Sequence, residues 1–172
     1  MAKKTHSAWK EFISSNVTHY IAGLIILIVG VYAIISVVSF LFTGAADQSK
    51  IEGLSLFHRG TVEGVENWTG MRGAILSHRL INDGFGFPTV FLLLFVVFVA
   101  LQLMKAKRFR LVRSFIICAL MTVWTSVALS FFIGRFLEGS IFYVGGKTGR
   151  FISDILIHNF GYLGSALLIV LV

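Results

Sequence analysis

The side chains able to bind a metal or move a proton are few, and they sit between apolar runs. Asp154 and His158 are four positions apart. That is one helical turn, a spacing that lets two side chains share a metal ion or pass a proton. His78 and Asp83 are further candidates at a boundary between apolar runs. A metal or catalytic site needs further ligands, and no third partner is evident beside Asp154 and His158. The expected role of these four is solvation at a membrane boundary. Gly145-Gly146-Lys147-Thr148 ends like a phosphate-binding loop, but Ile141 stands where the first glycine must be. The single Cys118 cannot form an internal disulfide and reads as a small packing residue. The sequence therefore leads us to expect no catalytic, cofactor-binding or metal site in this chain.

The elements around these residues explain their scarcity. Segments 21–42, 85–104 and 114–134 contain no Asp, Glu, Lys or Arg. At about 1.5 Å per residue, each can cross a hydrocarbon core of about 30 Å as a helix. A fourth run, 160–172, reaches only about 20 Å by its last residue. The chain is expected to continue beyond Val172 and complete it. Hydrophobic residues make up 56% and charged residues 13% of the sequence. Soluble domains are about 45–50% apolar and about 25% charged, so the composition is that of a membrane protein. Ionisable groups within spans usually mark ion paths, proton relays or catalytic centres. Their absence from the three complete runs argues against a pump, a proton-coupled transporter or an intramembrane hydrolase. A small transporter or channel subunit, a stand-alone membrane scaffold and an enzyme with an outer-face site are weaker alternatives.

Charge placement gives an orientation. The net charge is +7. Lys3, Lys4 and Lys10 precede the first run, and Lys105, Lys107, Arg108, Arg110 and Arg113 fill the short link between the second and third. The outer loops, 43–84 and 135–159, mix both signs. Positive charge collects on the cytoplasmic side. Segment 1–19 and the basic link are therefore expected in the cytoplasm, and four spans return the C-terminus there. The five cations of the link are candidates for anionic-lipid contact, at about 1 kcal/mol each. Pinned to a bilayer, they make a poor nucleic-acid groove. The first run is too long for a signal core of about 7–15 residues and is expected to be retained. Trp9, Tyr20 and Trp68 read as interfacial anchors. The glycosylation sequons at Asn16 and Asn67 read as coincidental.

The outer loops end in related segments. Gly70, Gly73, Ser77, Leu80 and Ile81 match Gly146, Gly149, Ser153, Leu156 and Ile157 at one offset. After a one-residue slip, Phe85-Gly86 matches Phe160-Gly161, and an apolar run follows each copy. The fold expected is an all-α integral membrane domain. It has four transmembrane helices arranged as two duplicated helical hairpins, with a short amphipathic interfacial helix before the second and fourth spans. Arg72 and Arg79 are expected at headgroups, and the Phe-Gly pairs turn the chain into the bilayer. Along the third run, Cys118, Thr122, Ser126, Ser130 and Gly134 recur every four residues. Small residues let helices approach closely, so this stripe is the expected packing face.

These features, with the four spans and the basic N-terminus, resemble the N-terminal membrane domain of FtsK/SpoIIIE-type bacterial DNA translocases. The resemblance covers about residues 18–172, and its motifs are glycines and hydrophobics in register. It implies an inner-membrane protein at the division septum. It also implies self-association, divisome partners and a soluble motor after residue 172. That motor would use ATP and Mg to move double-stranded DNA. The resemblance places no ATP- or DNA-binding residue on this chain.

Overall fold

The structure, a computed structural model, describes residues 16–134, 136 and 143–171. The basic side chains of the first ten residues, Trp9, Arg135 and Ile141 lie outside the described residues. Among the described residues five α-helices follow one another, with no strand.

α1 is Asn16–Ile51, a helix of 36 residues and about 54 Å. The apolar run 21–42 lies inside it. Nothing in Thr43-Gly44-Ala45-Ala46-Asp47 breaks a helix, so the turns continue past the run to Ile51. Gly53, at φ 77°, then supplies the left-handed stop. The expected first outer loop, 43–84, is therefore helical over its first part. α2 is Gly70–His78, and it passes into a wider π-helical segment, Arg79–Phe85. The chain then bends by 118° into α3, Thr89–Leu103. The second run was expected to span 85–104, but Phe85-Gly86-Phe87-Pro88 forms the bend, so the straight helix is shorter. α4 is Leu111–Phe132, and α5 is Gly146–Leu171 with a break at Gly161.

Three of these helices are long and apolar enough to cross a membrane, and the bent pair Gly70–Phe85 plus Thr89–Leu103 raises the number to as many as four. α1 packs on α2 and α3, while α4 packs on α3 and α5. Small residues set the spacing of the first contact. A β-carbon at Gly23 would lie 2.6 Å from Met104 and 2.8 Å from the carbonyl of Ala100. The apolar core is divided. One cluster joins Ala33, Val37 and Phe40 of α1 to Ile81 and Leu93. A second joins Ile51, Ala74 and Ile75 under Leu54, Leu56 and Val65. A third joins Val127 and Phe131 of α4 to Ile169 of α5.

Candidate functional site: glycine–serine joints and the seam between hairpins

Two joints fix α2 and the start of α5 against the long helices α1 and α4. In the first, Ser36 of α1 is fully buried. Its Oγ donates to the carbonyl of Tyr32 at 2.8 Å and lies 2.7 Å from Thr69 Oγ1. Gly73 of α2 sits directly over it, where a β-carbon would come 2.9 Å from Ser36 Oγ and still nearer to Thr69. In the second joint, Ser126 of α4 is also fully buried. Its Oγ donates to Gly145 O at 2.6 Å, and a β-carbon at Gly149 would lie 2.3 Å from it. Each joint thus puts a glycine of the outer helix against a serine of a long helix.

The expected packing stripe of α4 divides along its length. Cys118, Thr122 and Ser126 are buried, whereas Ser130 and Gly134 are half-buried. Thr122 Oγ1 donates to Cys118 O at 2.7 Å and reaches Pro88 O at 3.4 Å. Ser130 flanks Gly145, where a β-carbon would lie 2.1 Å from its Oγ.

A second polar stripe, on α1, escaped the sequence reading. Tyr32, Ser36, Ser39 and Asp47 share one helix face and bind the segment 66–69 along it. Tyr32 Oη donates to Thr69 O at 3.1 Å, and Ser39 Oγ accepts from Trp68 N at 2.9 Å. Asp47, wholly buried, accepts from Glu66 N at 2.7 Å and Asn67 N at 2.9 Å. Asn67 Nδ2 donates to Ser36 O at 3.2 Å, and its Oδ1 accepts from Thr69 N and Oγ1. The Asn67 sequon is therefore closed to modification in the fold. A signal for the stripe was present. Ser36, Val37, Phe42 and Gly44 match Ser126, Val127, Phe132 and Gly134 at one offset, so the sequence similarity extends into the long helices.

The repeat glycines take two roles. Gly70 and Gly146 open their helices at φ 72° and 69°, and Gly86 and Gly161 break the chain at φ 75° and 66°. At Gly86 and Gly161 ψ is −149° and −179°. That region is essentially closed to residues with a β-carbon. Gly73 and Gly149, by contrast, are close-approach positions inside helices.

The hairpins, α1–α3 and α4–α5, meet at a seam. Gly86 and Gly146 touch backbone to backbone: a β-carbon at Gly86 would lie 2.1 Å from Val144 O. Phe87 N donates to Val144 O at 3.0 Å, and Tyr143 N to Asn82 Oδ1 at 3.4 Å. Lys147 Nζ donates to Asp83 Oδ1 at 2.6 Å. That bond, more than the attraction between the charges, raises the Lys147 pKa above its ordinary value.

The remaining candidates are dispersed. No group of three His, Cys, Asp or Glu able to hold a metal occurs among the described residues. Asp154 and His158 are both exposed and form no ion pair with each other. Arg72 and Arg79, expected at headgroups, are exposed and donate to the carbonyls of Leu56 and Leu54. Lys105, Lys107, Arg108, Arg110 and Arg113 are all exposed. Lys105 Nζ also donates to Asn16 Oδ1 at 2.6 Å, tying the link to the start of α1.

Comparison with known families bears on this arrangement of spans and glycine joints. The model of the 4TM region of DNA translocase FtsK/SpoIIIE matches residues 15–172. The chain belongs to that family. No curated protein and no solved structure matches it. The match takes in both joints, the seam and every element of the fold. An FtsK/SpoIIIE 4TM region is a membrane region, and the apolar helices are consistent with a bilayer environment.

Proposed function

We propose that this chain is the membrane-anchoring and assembly domain of an ATP-driven double-stranded DNA translocase. That protein acts at the division septum in chromosome segregation. The observation that carries the reading is the family match across residues 15–172. Apolar helices supply the anchor, and no step of nucleotide or DNA chemistry is assigned to them. ATP, Mg and DNA belong to a soluble motor encoded after residue 172.

In this reading the domain lies in the bacterial inner membrane. The basic N-terminus, the 105–113 link and the C-terminus face the cytoplasm, where Lys105, Lys107, Arg108, Arg110 and Arg113 meet anionic headgroups. The two hairpins are duplicates. Supporting this are the shared glycine angles, the paired joints Ser36–Gly73 and Ser126–Gly149, and the similarity that extends into the long helices. The outer helix of each copy marks the interface, and the α5 copy carries exposed Arg150, Phe151 and Asp154 there. The small-residue face of α4 serves packing within the four-span unit. The domain self-associates and contacts other divisome membrane proteins.

Two experiments test the proposal. The coding frame beyond Val172 should reach a Gly-x-x-x-x-Gly-Lys-Ser/Thr loop after a buried strand. A fluorescent fusion of residues 1–172 should collect at septa. A frame with no such loop, or fluorescence spread evenly over the membrane, would overturn it.

A further inference from the structure

His78 ends α2 at a point where three parts of the molecule meet. Its ring stands edge-on to Phe40 of α1, with centroids 6.2 Å apart. Ile51, Gly53, Leu54 and Ile75 line an open pocket beside it, together with Arg79 and Asp83. Gly53 and Leu54 belong to the 52–66 segment, which caps α2. Arg79 Nη2 holds that cap by donating to Leu54 O at 3.2 Å. His78 Nδ1 lies 3.8 Å from Asp83 Oδ2, too far for a hydrogen bond. The other oxygen of the same carboxylate accepts from Lys147 of the second hairpin. The imidazole thus shares a pocket with the cap and faces, across 3.8 Å, the carboxylate that holds the second hairpin.

We propose that His78 is a proton-sensitive pin: neutral, it lets the cap and the second hairpin close on the end of α2, and protonated, it loosens both. The charged groups facing it are Asp83, Lys147, Glu52 and Arg79. Burial is the largest influence on the ring and lowers its pKa from the ordinary value. Asp83 opposes this, Lys147 adds to it, and Glu52 and Arg79 pull in opposite directions.

The sign follows from what each movement removes. Lifting the cap returns the ring to water. Moving the second hairpin away withdraws Lys147. Both changes raise the proton affinity of His78, while Asp83 stays with it on the same segment. The open arrangement therefore binds the proton more tightly. Closure is complete above the ordinary histidine pKa of about 6.5 and weakens as pH falls through it toward the lowered value. Each unit of pKa difference changes the closed-to-open ratio about tenfold.

Spin labels report both movements in the 172-residue chain, reconstituted in nanodiscs on a Cys118→Ala background. The cap pair is Ala45→Cys with Thr61→Cys, and the hairpin pair is Ala45→Cys with Asp154→Cys. All three positions are exposed. Distances are measured at about pH 8 and about pH 5.5, either side of the ordinary histidine value. The expected result is a longer-distance population that grows in acid for both pairs. His78→Gln should abolish the growth while keeping the short distances. Lys147→Met, which leaves the ring in place, should move the midpoint of the cap response to higher pH. Identical distances at both pH values would overturn the proposal. So would a response that persists in His78→Gln, or a cap midpoint unmoved by Lys147→Met.

Discussion

The helix α2 and its sequence counterpart at the start of α5 differ in burial among the described residues. At the α2 positions Ala74 and Ile75 the side chains are 0% and 2% exposed. Their counterparts in the repeat are Arg150 and Phe151, both exposed, with Phe151 at 67%. The covering of α2 comes from the connection that precedes it. Between Ile51 and Gly70 the chain is long enough to fold back over α2. There it brings Leu54, Leu56 and Val65 down on Ile75, while Asp47, Ser39 and Tyr32 hold its backbone. An apolar position in a helix is thus core or surface according to what the neighbouring connection supplies. Sequence similarity between two helices does not make their faces equivalent.

The comparison can be broken most forcefully at the two glycine breaks, Gly86 before α3 and Gly161 inside α5. Gly86 and Gly161 share a backbone conformation, but only Gly86 has neighbours. A β-carbon there meets Val144 O at 2.1 Å, whereas nothing lies within 4 Å at Gly161. Gly86→Ala should destabilise by more than about 4 kcal/mol, through conformational strain and displacement of the seam. Gly161→Ala should carry only the strain, about 1–3 kcal/mol. Unfolding in detergent–denaturant mixtures measures both, and equal losses would remove the distinction.

The buried carboxylate comes next. Asp47→Ala leaves two backbone N–H groups of the cap without their acceptor. Hydrogen bonds to charged groups contribute about 1.5–3 kcal/mol each, so the expected loss is about 3 kcal/mol. It should appear as faster hydrogen exchange in residues 52–69, with α4 and α5 unchanged. Protection lost evenly over the molecule would contradict a local strap.

The paired apolar positions test the covering itself. Ile75→Ala should lose about 3 kcal/mol, as expected for a filled core site. Phe151→Ala should change stability by less than about 1 kcal/mol, because its side chain is largely outside the protein. Comparable losses would mean that Phe151 is covered in the folded protein.

The smallest effect is expected at the joints. Ser126→Ala removes one hydroxyl hydrogen bond, a loss of about 1 kcal/mol, and Ser36→Ala removes two, about 2 kcal/mol. The larger Ser126→Leu should exceed either, since Gly145 and Gly149 leave it no room. Tolerance of Leu at both Ser126 and Ser130 would remove the packing role proposed for that stripe.

Much of the architecture was legible. The uncharged runs identified the apolar stretches at the centre of α1, α3 and α4, because charge is expensive in hydrocarbon whatever the tertiary context. Gly86 and Gly161 were legible as breaks from the repeated Phe-Gly. The continuation of α1 to Ile51 was not, since Asp47 and Lys50 look like loop residues until their partners are known. Nor were the bonds of Arg72 and Arg79 to the carbonyls of Leu56 and Leu54. An arginine beside a membrane can serve headgroups or carbonyls, and composition does not distinguish them.

Local chemistry, then, was determined by the sequence alone: which stretches are apolar enough to enter a bilayer, where glycine permits the backbone to turn, and which small residues let helices approach. These follow from side-chain type and spacing, and they hold in any fold. The tertiary structure decided the rest. It put Ser36 under Gly73 and Ser126 under Gly149, closed a cap over α2, and joined Asp83 to Lys147 across the seam. Those contacts link residues far apart in the chain. Only the packed helices bring them within reach, so no local pattern could specify them.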